Sequence, residues 1–263
     1  MPPLPLRERA GRPGISSAPV RVRGTKKISK SILAVFGLLV LAAWAPKPAH
    51  LHIKSVGVIA ALGDTCMFVH VRDTPFQWIG PPEAGFLEIS DWGLDDEVAK
   101  LVETALGPRY NVQSIPIEHQ DFDTWSYASL TRRVRELPVP VTPVDAYLLV
   151  LRDWHPDAIG GSDHHLVGLG LYRNDLVHGR GRYGEFAAYR LVLMEPDRGK
   201  VLASVPGILL TAEFPTLPAK PTLWPRTQND LTDRQRETLR ENFLSLMVNS
   251  LPVTLEWLGL ATP

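Results

Sequence analysis

The chain of 263 residues is long enough for a leader and one domain with a core of ordinary size. It has 28 Lys and Arg against 28 Asp and Glu residues, but eight of the basic residues and one acidic residue lie among the first 30 positions. The rest of the chain therefore carries 20 basic and 27 acidic residues, which argues against nucleic acid as a partner, because nucleic-acid-binding surfaces are basic.

An uncharged apolar run, SILAVFGLLVLAAWA, extends from Ser31 to Ala45 behind the basic leader. A basic segment before a short apolar run is typical of an export signal, and the positive-inside rule keeps the basic side in the cytoplasm. We therefore predict four segments: a disordered leader over residues 1–27, a single-pass inner-membrane signal anchor over residues 28–46, a linker over residues 47–54, and a periplasmic domain over residues 55–263.

Cleavage of this signal is disfavoured by Pro46. The residue follows Ala43-Trp44-Ala45, an A-x-A match, and a proline directly after the cut would hinder a signal peptidase. A retained anchor is therefore the main interpretation. A cleaved signal that releases the domain to the periplasm and a buried core helix stay as alternatives. The single cysteine, Cys66, lies far from the run, which predicts no lipid anchor, and its apolar neighbours predict a buried thiol.

Apolar periodicity and turn residues predict a sheet interrupted by helices. The elements in chain order are strand Ser55–Leu62, a hairpin partner Thr65–Arg72 after Gly63-Asp64, helix Leu94–Leu106, strand Tyr110–Ile117, helix Thr124–Leu137, strands Ala146–Leu151, Leu166–Tyr172, Phe186–Met194 and Lys200–Leu210, and a helix that a Thr232-x-x-Gln235 capping box opens and Pro252 ends. Gly168 and Gly170, inside a strand, predict a bulge or a close approach of backbone. The fold class is α/β, a mixed sheet with helices packed on it, in the order β-β-α-β-α-β-β-β-β-α.

Two segments resemble exported α/β domains of the TolB amino-terminal, CsgG and LpoB type. The strand DAYLLV from Asp145 to Val150 resembles their "aDyvv" strand. The segment Tyr189–Ser204, YRLVLMEPDRGKVLAS, is similar to their strand–turn–strand. The resemblance covers Ser55 to Leu251 and implies a protein-binding, non-enzymatic role in the envelope of a Gram-negative cell. The chain departs from these families in lacking a lipobox cysteine and in the strand that begins at Thr65.

A hydrolase is the alternative from another class. GDSL-type hydrolases place a nucleophile in a G-D-S turn and an acid and base in a D-x-x-H-P block, because a hydroxyl is a weak nucleophile until a base takes its proton. Here Asp64 and Thr65 follow Gly63, and Asp153 and His155 precede Pro156. The serine is replaced by threonine, and the spacing from the aspartate to the histidine is one residue short.

Two loops are candidate binding segments. The first could hold a metal weakly through His155, Asp163 and His164. The adjacent His164 and His165 would point to opposite faces of a strand, so the two could not easily bind one ion together. The second places Arg173, Arg180 and Arg182 among glycines, a composition that suits an anionic partner but lacks the Lys-Ser/Thr of a phosphate-binding loop. No cofactor is predicted, and the main hypothesis remains a membrane-anchored, non-enzymatic domain that binds an envelope protein.

Overall fold

The computed structural model describes residues 52–71, 83–117, 127–137, 142–155, 165–175, 182–209, 215–225 and 231–261. These residues form a mixed α/β domain in which three helices pack on a sheet. The predicted leader and anchor, residues 1–27 and 28–46, lie outside the described residues, as does most of the linker. Within the described ranges, none of the helices combines the length and the hydropathy that a membrane span requires.

The described sheet has ten strands. Two of the helices lie between strands in the chain order, and the third follows the last strand. The elements are β1 Ser55–Ala61, β2 Thr65–Val71, β3 Glu83–Glu88, α1 Leu94–Leu106, β4 Asn111–Ser114, α2 Tyr127–Glu136, β5 Ala146–Arg152, β6 Trp154–His155, β7 Leu166–Asn174, β8 Arg182–Met194, β9 Val201–Pro206, β10 Thr216–Pro218 and α3 Asp233–Trp257. Short 3-10 turns occur at Ser90–Trp92 and Pro221–Leu223.

The long strand β8 joins the two halves of the sheet. Its segment Tyr189–Met194 pairs antiparallel with β5, and its segment Arg182–Ala188 pairs antiparallel with β7. In the first half β1 lies between β4 and β5 and is parallel to both; in the second half β2 is parallel to β7 and antiparallel to β3. The main path of the sheet is therefore β3-β2-β7-β8-β5-β1-β4.

The predicted hairpin at Gly63-Asp64 is wrong. The partners of β1 are β4 and β5, and those of β2 are β3 and β7, so the two strands do not pair with each other. Both run antiparallel to β8, so the chain continues in one direction from β1 to β2. Gly63, at φ 91°, supplies the break between them, because a left-handed backbone favours glycine. A short Gly-Asp link therefore breaks one long strand path instead of reversing it.

Alternation along the strands gives each face of the sheet its own core. On one face, Val58, Leu148 and Leu191 are buried with Val102 of α1 and Phe243 of α3. On the other face of the first half, α2 covers a second cluster. It is fixed to the turn after β8, where Thr131 Oγ1 donates a hydrogen bond to the carbonyl oxygen of Gly199. The near-continuous apolar strands β1 and β5 follow from this coverage of both faces.

The helix α1 has the predicted bounds, whereas α3 runs past its predicted end. Thr232 and Gln235 form the predicted capping box of α3. Pro252 was predicted to end this helix but is accommodated inside it, and Leu255 is fully buried, so the apolar pattern of the last two turns outweighs the missing hydrogen bond.

Three short strands, β3, β6 and β10, are absent from the predicted order of elements. Each is at most six residues long, and β10 contains a proline at its end, so neither length nor composition indicated a strand. Pairing with a longer neighbour forms them: β3 with β2, β6 with β7, and β10 with β8. The predicted order therefore gains these three strands, while the mixed α/β class is confirmed.

Candidate functional site

The residues of the hydrolase hypothesis lie where the parallel strands β1 and β5 end. Ala61 pairs with Leu151 near the ends of the two strands, so the segments that begin at Gly63 and Asp153 leave the same edge of the sheet. We call Thr65, Arg152, Asp153, Gly168 and Arg190 the strand junction. Arg152 Nη1 donates a hydrogen bond of 3.4 Å to Thr65 Oγ1, which places an arginine beside the hydroxyl.

The Asp153 carboxylate is held by an arginine of β8. Its Oδ2 lies 2.8 Å from Arg190 Nη2, and its backbone bonds to Ala188 and to Gly168 on either side. Asp153 is 7% exposed, so its carboxylate is largely shielded from water. A carboxylate paired with arginine in this way joins β5, β7 and β8, and this role accounts for its burial without any catalytic duty.

His155 is half-buried on β6, opposite Leu166 of β7. Asp163 and His164, the other two candidate metal ligands, lie outside the described residues. Among the residues that the structure describes, no three His, Cys, Asp or Glu side chains are arranged to hold a metal ion. The aromatic neighbour at this position is Trp154, which is 46% exposed and meets the His165 ring edge-on at 5.0 Å.

A second group of polar residues lies at the other end of β7, where β8 begins. One row of paired positions across β2, β7 and β8 consists of His70, Arg173 and Tyr183, all on the face that α3 covers. Asp175 follows β7 directly. We call these four residues together with Trp224 the distal cluster.

Hydrogen bonds and ring contacts hold the distal cluster together. Asp175 accepts a hydrogen bond of 2.9 Å from Arg173 Nε on one oxygen, and its other oxygen lies 2.8 Å from His70 Nε2. Burial opposes ionisation of Asp175, but these two partners outweigh it and lower the pKa of the carboxyl below its ordinary value. The same hydrogen bond raises the pKa of Arg173, whose guanidinium lies 5.5 Å from the centre of the Tyr183 ring.

Trp224 packs over this row from the segment before α3. Its ring lies 5.8 Å from the ring of His70 and 6.2 Å from that of Tyr183, both edge-on, and 6.0 Å from the ring of Phe68. Trp224 is 154 positions from His70 along the chain, so the sequence alone did not indicate this contact. It joins the cluster because Pro221–Leu223 forms a 3-10 turn just before it.

The next row toward the centre of the sheet contains a buried acid, Glu185. It pairs across the sheet with Leu171 and Leu217, and it is 1% exposed. Asn242 of α3 donates a hydrogen bond of 2.9 Å to Oε1, while Oε2 has no hydrogen-bond partner among the described residues. Burial raises the pKa of Glu185 from 4.5 to about 7, and the bond from Asn242 only partly opposes that rise. The carboxyl is therefore neutral in mildly acidic solution and charged above neutrality.

Cys66 is buried one row further on, beside Leu169. Burial, assisted by the nearby Glu185, raises the pKa of its thiol far above the ordinary range. The prediction of a buried thiol is confirmed.

The arginine loop of the sequence hypothesis is divided between described and undescribed residues. Arg173 and Arg182 both belong to the distal end, where Arg182 pairs with Asn174 and is exposed, whereas Arg180 lies outside the described residues. The sequence motifs did not indicate His70, Asp175 or Glu185 as site residues. Glu185 carries one signal, an acid at an inward position of an otherwise apolar strand pattern, and that signal becomes visible only once the start of β8 is known.

The fold and these sites define a mixed α/β domain with an arginine-held strand junction and an aromatic, polar distal end. No family model matches the sequence, and no curated protein sequence matches it. Eight chains of solved structures match. One is protein XCC0632 from Xanthomonas campestris, described with the family model DUF330. It is 12% identical, the match covers 81% of this chain and 90% of that chain, and the TM-score is 0.35. That similarity is too low to carry an assignment of function.

Proposed function

We propose that this chain is a non-enzymatic, membrane-anchored envelope protein whose exported α/β domain binds an acidic segment of a partner protein through the distal cluster. The basic leader and the uncharged run Ser31–Ala45 support a single pass with the domain in the periplasm. Release of the domain to the periplasm by signal cleavage is the alternative location, and it leaves the binding proposal unchanged.

The observation that carries the proposal is the arrangement of Arg173 between Asp175 and Tyr183. Its guanidinium is bonded through Nε and lies against an aromatic ring, so the fork is oriented before a partner arrives. Arginine, tyrosine and tryptophan are the residues that most often dominate the binding energy of protein interfaces. A side chain that is already ordered loses less conformational entropy on binding, which favours affinity.

Charge identifies the chemistry of the partner. The domain is acidic as a whole, yet this end of the sheet carries two arginines, Arg173 on the face of the distal cluster and the exposed Arg182 on the opposite face. The sequence places Arg180 close to both. An acidic segment would be attracted to this end and repelled by much of the remaining surface. An arginine fork also matches a carboxylate in shape and can donate two parallel hydrogen bonds to it.

Photocrosslinking in cells tests the binding surface. A photoreactive amino acid at position 182, at the distal end, is compared with one at Lys200, which is exposed in the turn at the far end of β8. We expect a defined crosslinked partner from position 182 only, with the crosslinked peptide rich in Asp and Glu. In that background Arg173→Ala should lower the crosslink yield about tenfold, as expected for loss of an interface hot spot.

The matched control for that substitution is Arg198→Ala, which removes an exposed arginine from the turn after β8. It should leave the yield unchanged. Thermal unfolding of both variants shows whether either has lost its fold. Equal crosslink yields from positions 182 and 200 would refute the proposed surface. An unchanged yield from position 182 in a folded Arg173→Ala variant would refute it as well.

Membrane topology is tested separately with an engineered cysteine. Lys200→Cys adds an exposed thiol, whereas Cys66 is buried and should stay unlabelled. We expect a membrane-impermeant maleimide to label position 200 once the outer membrane is permeabilised. Labelling only after lysis of the inner membrane would contradict the periplasmic location.

The hydrolase remains a second candidate because Thr65 and Asp153 follow neighbouring parallel strands at one edge of the sheet. Carboxyl ends of parallel strands are common places for active sites. The bond of Thr65 to Arg152 and the ion pair of Asp153 with Arg190 do not favour it. Hydrolysis of a nitrophenyl ester by the purified domain, abolished by Thr65→Val, would support this candidate; the same rate in both proteins would exclude a role for Thr65.

A further inference from the structure

Glu185 is a buried carboxyl that is only half satisfied. One oxygen accepts from Asn242, and the other has no partner within the described part of the chain. An ionised carboxylate in such a position is poorly stabilised, because one of its oxygens is buried without a donor from the described residues. The protonated form needs fewer partners, so the packing of α3 against this part of the sheet suits the neutral acid.

Among the residues that the structure describes, the groups that face Glu185 offer no compensating charge. On its own face, Cys66 lies one row away on one side, and His70, Arg173 and Tyr183 form the row on the other. Arg173 and His70 are both bound to Asp175. The neighbouring strand positions Leu171 and Leu217 are apolar.

The helix α3 contributes no cation to Glu185 either. It presents the amide of Asn242, while its partly buried Arg240 donates to the carbonyl oxygen of Trp92 and pairs with Glu237. A charge that develops on Glu185 would therefore favour movement of the helix that admits water to the carboxylate.

A chain of contacts connects this acid to the distal cluster. Asn242 lies two helical turns after Gln235 in α3. Gln235 Nε2 donates a hydrogen bond of 2.6 Å to the carbonyl oxygen of Thr222, within the 3-10 turn that precedes Trp224. Trp224 in turn packs against His70 and Tyr183. Movement of the first half of α3 would therefore release Trp224 from the distal cluster.

We propose that proton binding at Glu185 is a switch that controls the distal cluster. With Glu185 neutral, α3 stays packed and Trp224 orders His70, Arg173 and Tyr183 for binding. With Glu185 ionised, the first half of α3 and the segment 216–224 loosen, and the site loses its order. The effect on partner binding rests on the proposed function; the conformational switch itself does not.

Hydrogen exchange of the purified domain tests the switch without a partner. Exchange rates of segments 216–224 and 233–243, corrected for base catalysis, are compared between about pH 6 and about pH 8. In the wild type we expect the corrected exchange rates of these segments to rise about tenfold from the lower to the higher pH, and in Glu185→Gln to stay almost constant. Glu241→Gln, which removes an exposed acid next to Asn242, is the control and should behave as the wild type.

A second variant keeps the test decisive if Glu185→Gln does not fold. Asn242→Ala removes the hydrogen bond that favours the ionised carboxylate, so it should move the midpoint of the change to higher pH. Exchange that depends on pH equally in the wild type and Glu185→Gln would overturn the switch. A midpoint that Asn242→Ala leaves unchanged would overturn it as well.

The binding consequence is measured with the photoreactive residue at position 182, in permeabilised cells held at the same two pH values. We expect a crosslink yield about fivefold higher at the lower pH in the wild type, and no difference in Glu185→Gln. A pH response in exchange without one in crosslinking would refute control of binding and leave the proposed surface intact. No crosslink at either pH would instead refute the proposed function, while the exchange result would still decide the switch.

Discussion

Gln235 Nε2 and the carbonyl oxygen of Thr222 lie 2.6 Å apart, and this hydrogen bond connects the first turn of α3 to the turn that carries Trp224. The other side-chain atom of Gln235, Oε1, accepts from the backbone of Thr232 at 2.8 Å and completes the capping box. One side chain thus satisfies the end of a helix and fixes a neighbouring segment, and the two functions use different atoms.

These two functions can be separated by substitution. Gln235→Glu keeps an acceptor for the cap but loses the donor to Thr222, so we expect a loss of about 1 kcal/mol in unfolding free energy. Gln235→Ala loses both and should cost about 2 kcal/mol. Urea unfolding measures both values. Equal losses in the two variants would show that the bond to Thr222 contributes nothing to stability.

Glu185 should make the stability of the domain depend on pH. Its pKa is about 7 in the folded chain against an ordinary 4.5, so the folded state holds the proton more tightly. The stabilisation is complete below 4.5 and is lost as the pH rises through about 7. The unfolding free energy of Glu185→Gln, relative to that of the wild type, should therefore rise by up to about 3 kcal/mol from acidic to mildly alkaline solution.

The measurement is urea unfolding of both proteins at a series of pH values. The neutral amide in Glu185→Gln cannot ionise, so its advantage should grow with pH and level off above the folded pKa. Parallel stability curves for the two proteins would contradict the assignment of the buried charge to Glu185.

Gly170 should be intolerant of any side chain. A Cβ there would overlap the carbonyl oxygen of Met67 and the ring of Phe186. The backbone of β2 cannot retreat without breaking its pairing with β7, so Gly170→Ala should cost about 3 kcal/mol. Gly93→Ala is the comparison: apart from its chain neighbours, no atom of the described residues lies within 4 Å of an added Cβ, and only the left-handed backbone at φ 59° opposes the substitution. It should cost about 1 kcal/mol, and equal losses in thermal unfolding would contradict the steric argument.

Asp145 fixes the start of β1 to the start of β5. Its Oδ2 accepts hydrogen bonds from the backbone nitrogens of Lys54 and Ser55 at 2.8 and 2.9 Å, and from the Ser55 hydroxyl at 2.9 Å. The bond from Lys54, followed by those from Ser55, lowers the pKa of the carboxyl below its ordinary 3.8. This contribution is present above that value and is lost as the pH falls through the lower, folded pKa.

We therefore expect Asp145→Asn to reduce the unfolding free energy by about 1 kcal/mol near neutral pH, a modest value because the site is exposed to solvent. The difference from the wild type should shrink in strongly acidic solution, where both side chains are neutral. Asp91→Asn, at an exposed position outside this network, is the control. A loss that does not change with pH would show that the carboxylate charge is unimportant here.

The predictions from sequence succeeded where one segment contains all the information. The helix Leu94–Leu106, the cap formed by Thr232 and Gln235, and the turn between β8 and β9 depend on periodicity and on local turn residues. The expected close approach of backbone at Gly170 is also confirmed, because a glycine inside an apolar strand leaves space that the neighbouring strand and ring occupy.

The predictions failed where the partner of a strand had to be known. Gly63-Asp64 has the composition of a hairpin turn, but parallel pairing of β2 with β7 keeps the chain running forward. In the same way, β3, β6 and β10 are strands only because a longer strand lies beside them. A short segment without strong propensity takes its conformation from tertiary contacts.

The sequence by itself determined the mixed α/β class, most of the central strands and helices, and the burial of Cys66, because hydrophobic periodicity and local capping are encoded within short windows. The tertiary structure alone decided the sites. It paired Asp153 with Arg190, placed Asp175 between His70 and Arg173, and buried Glu185 beneath α3. Along the chain, Asp153 and Arg190 are 37 positions apart, His70 and Asp175 are 105 positions apart, and Glu185 and Asn242 are 57 positions apart. Charge and hydrogen bonding act over a few ångströms in space, so separations of this size along the chain conceal them until the strands are paired.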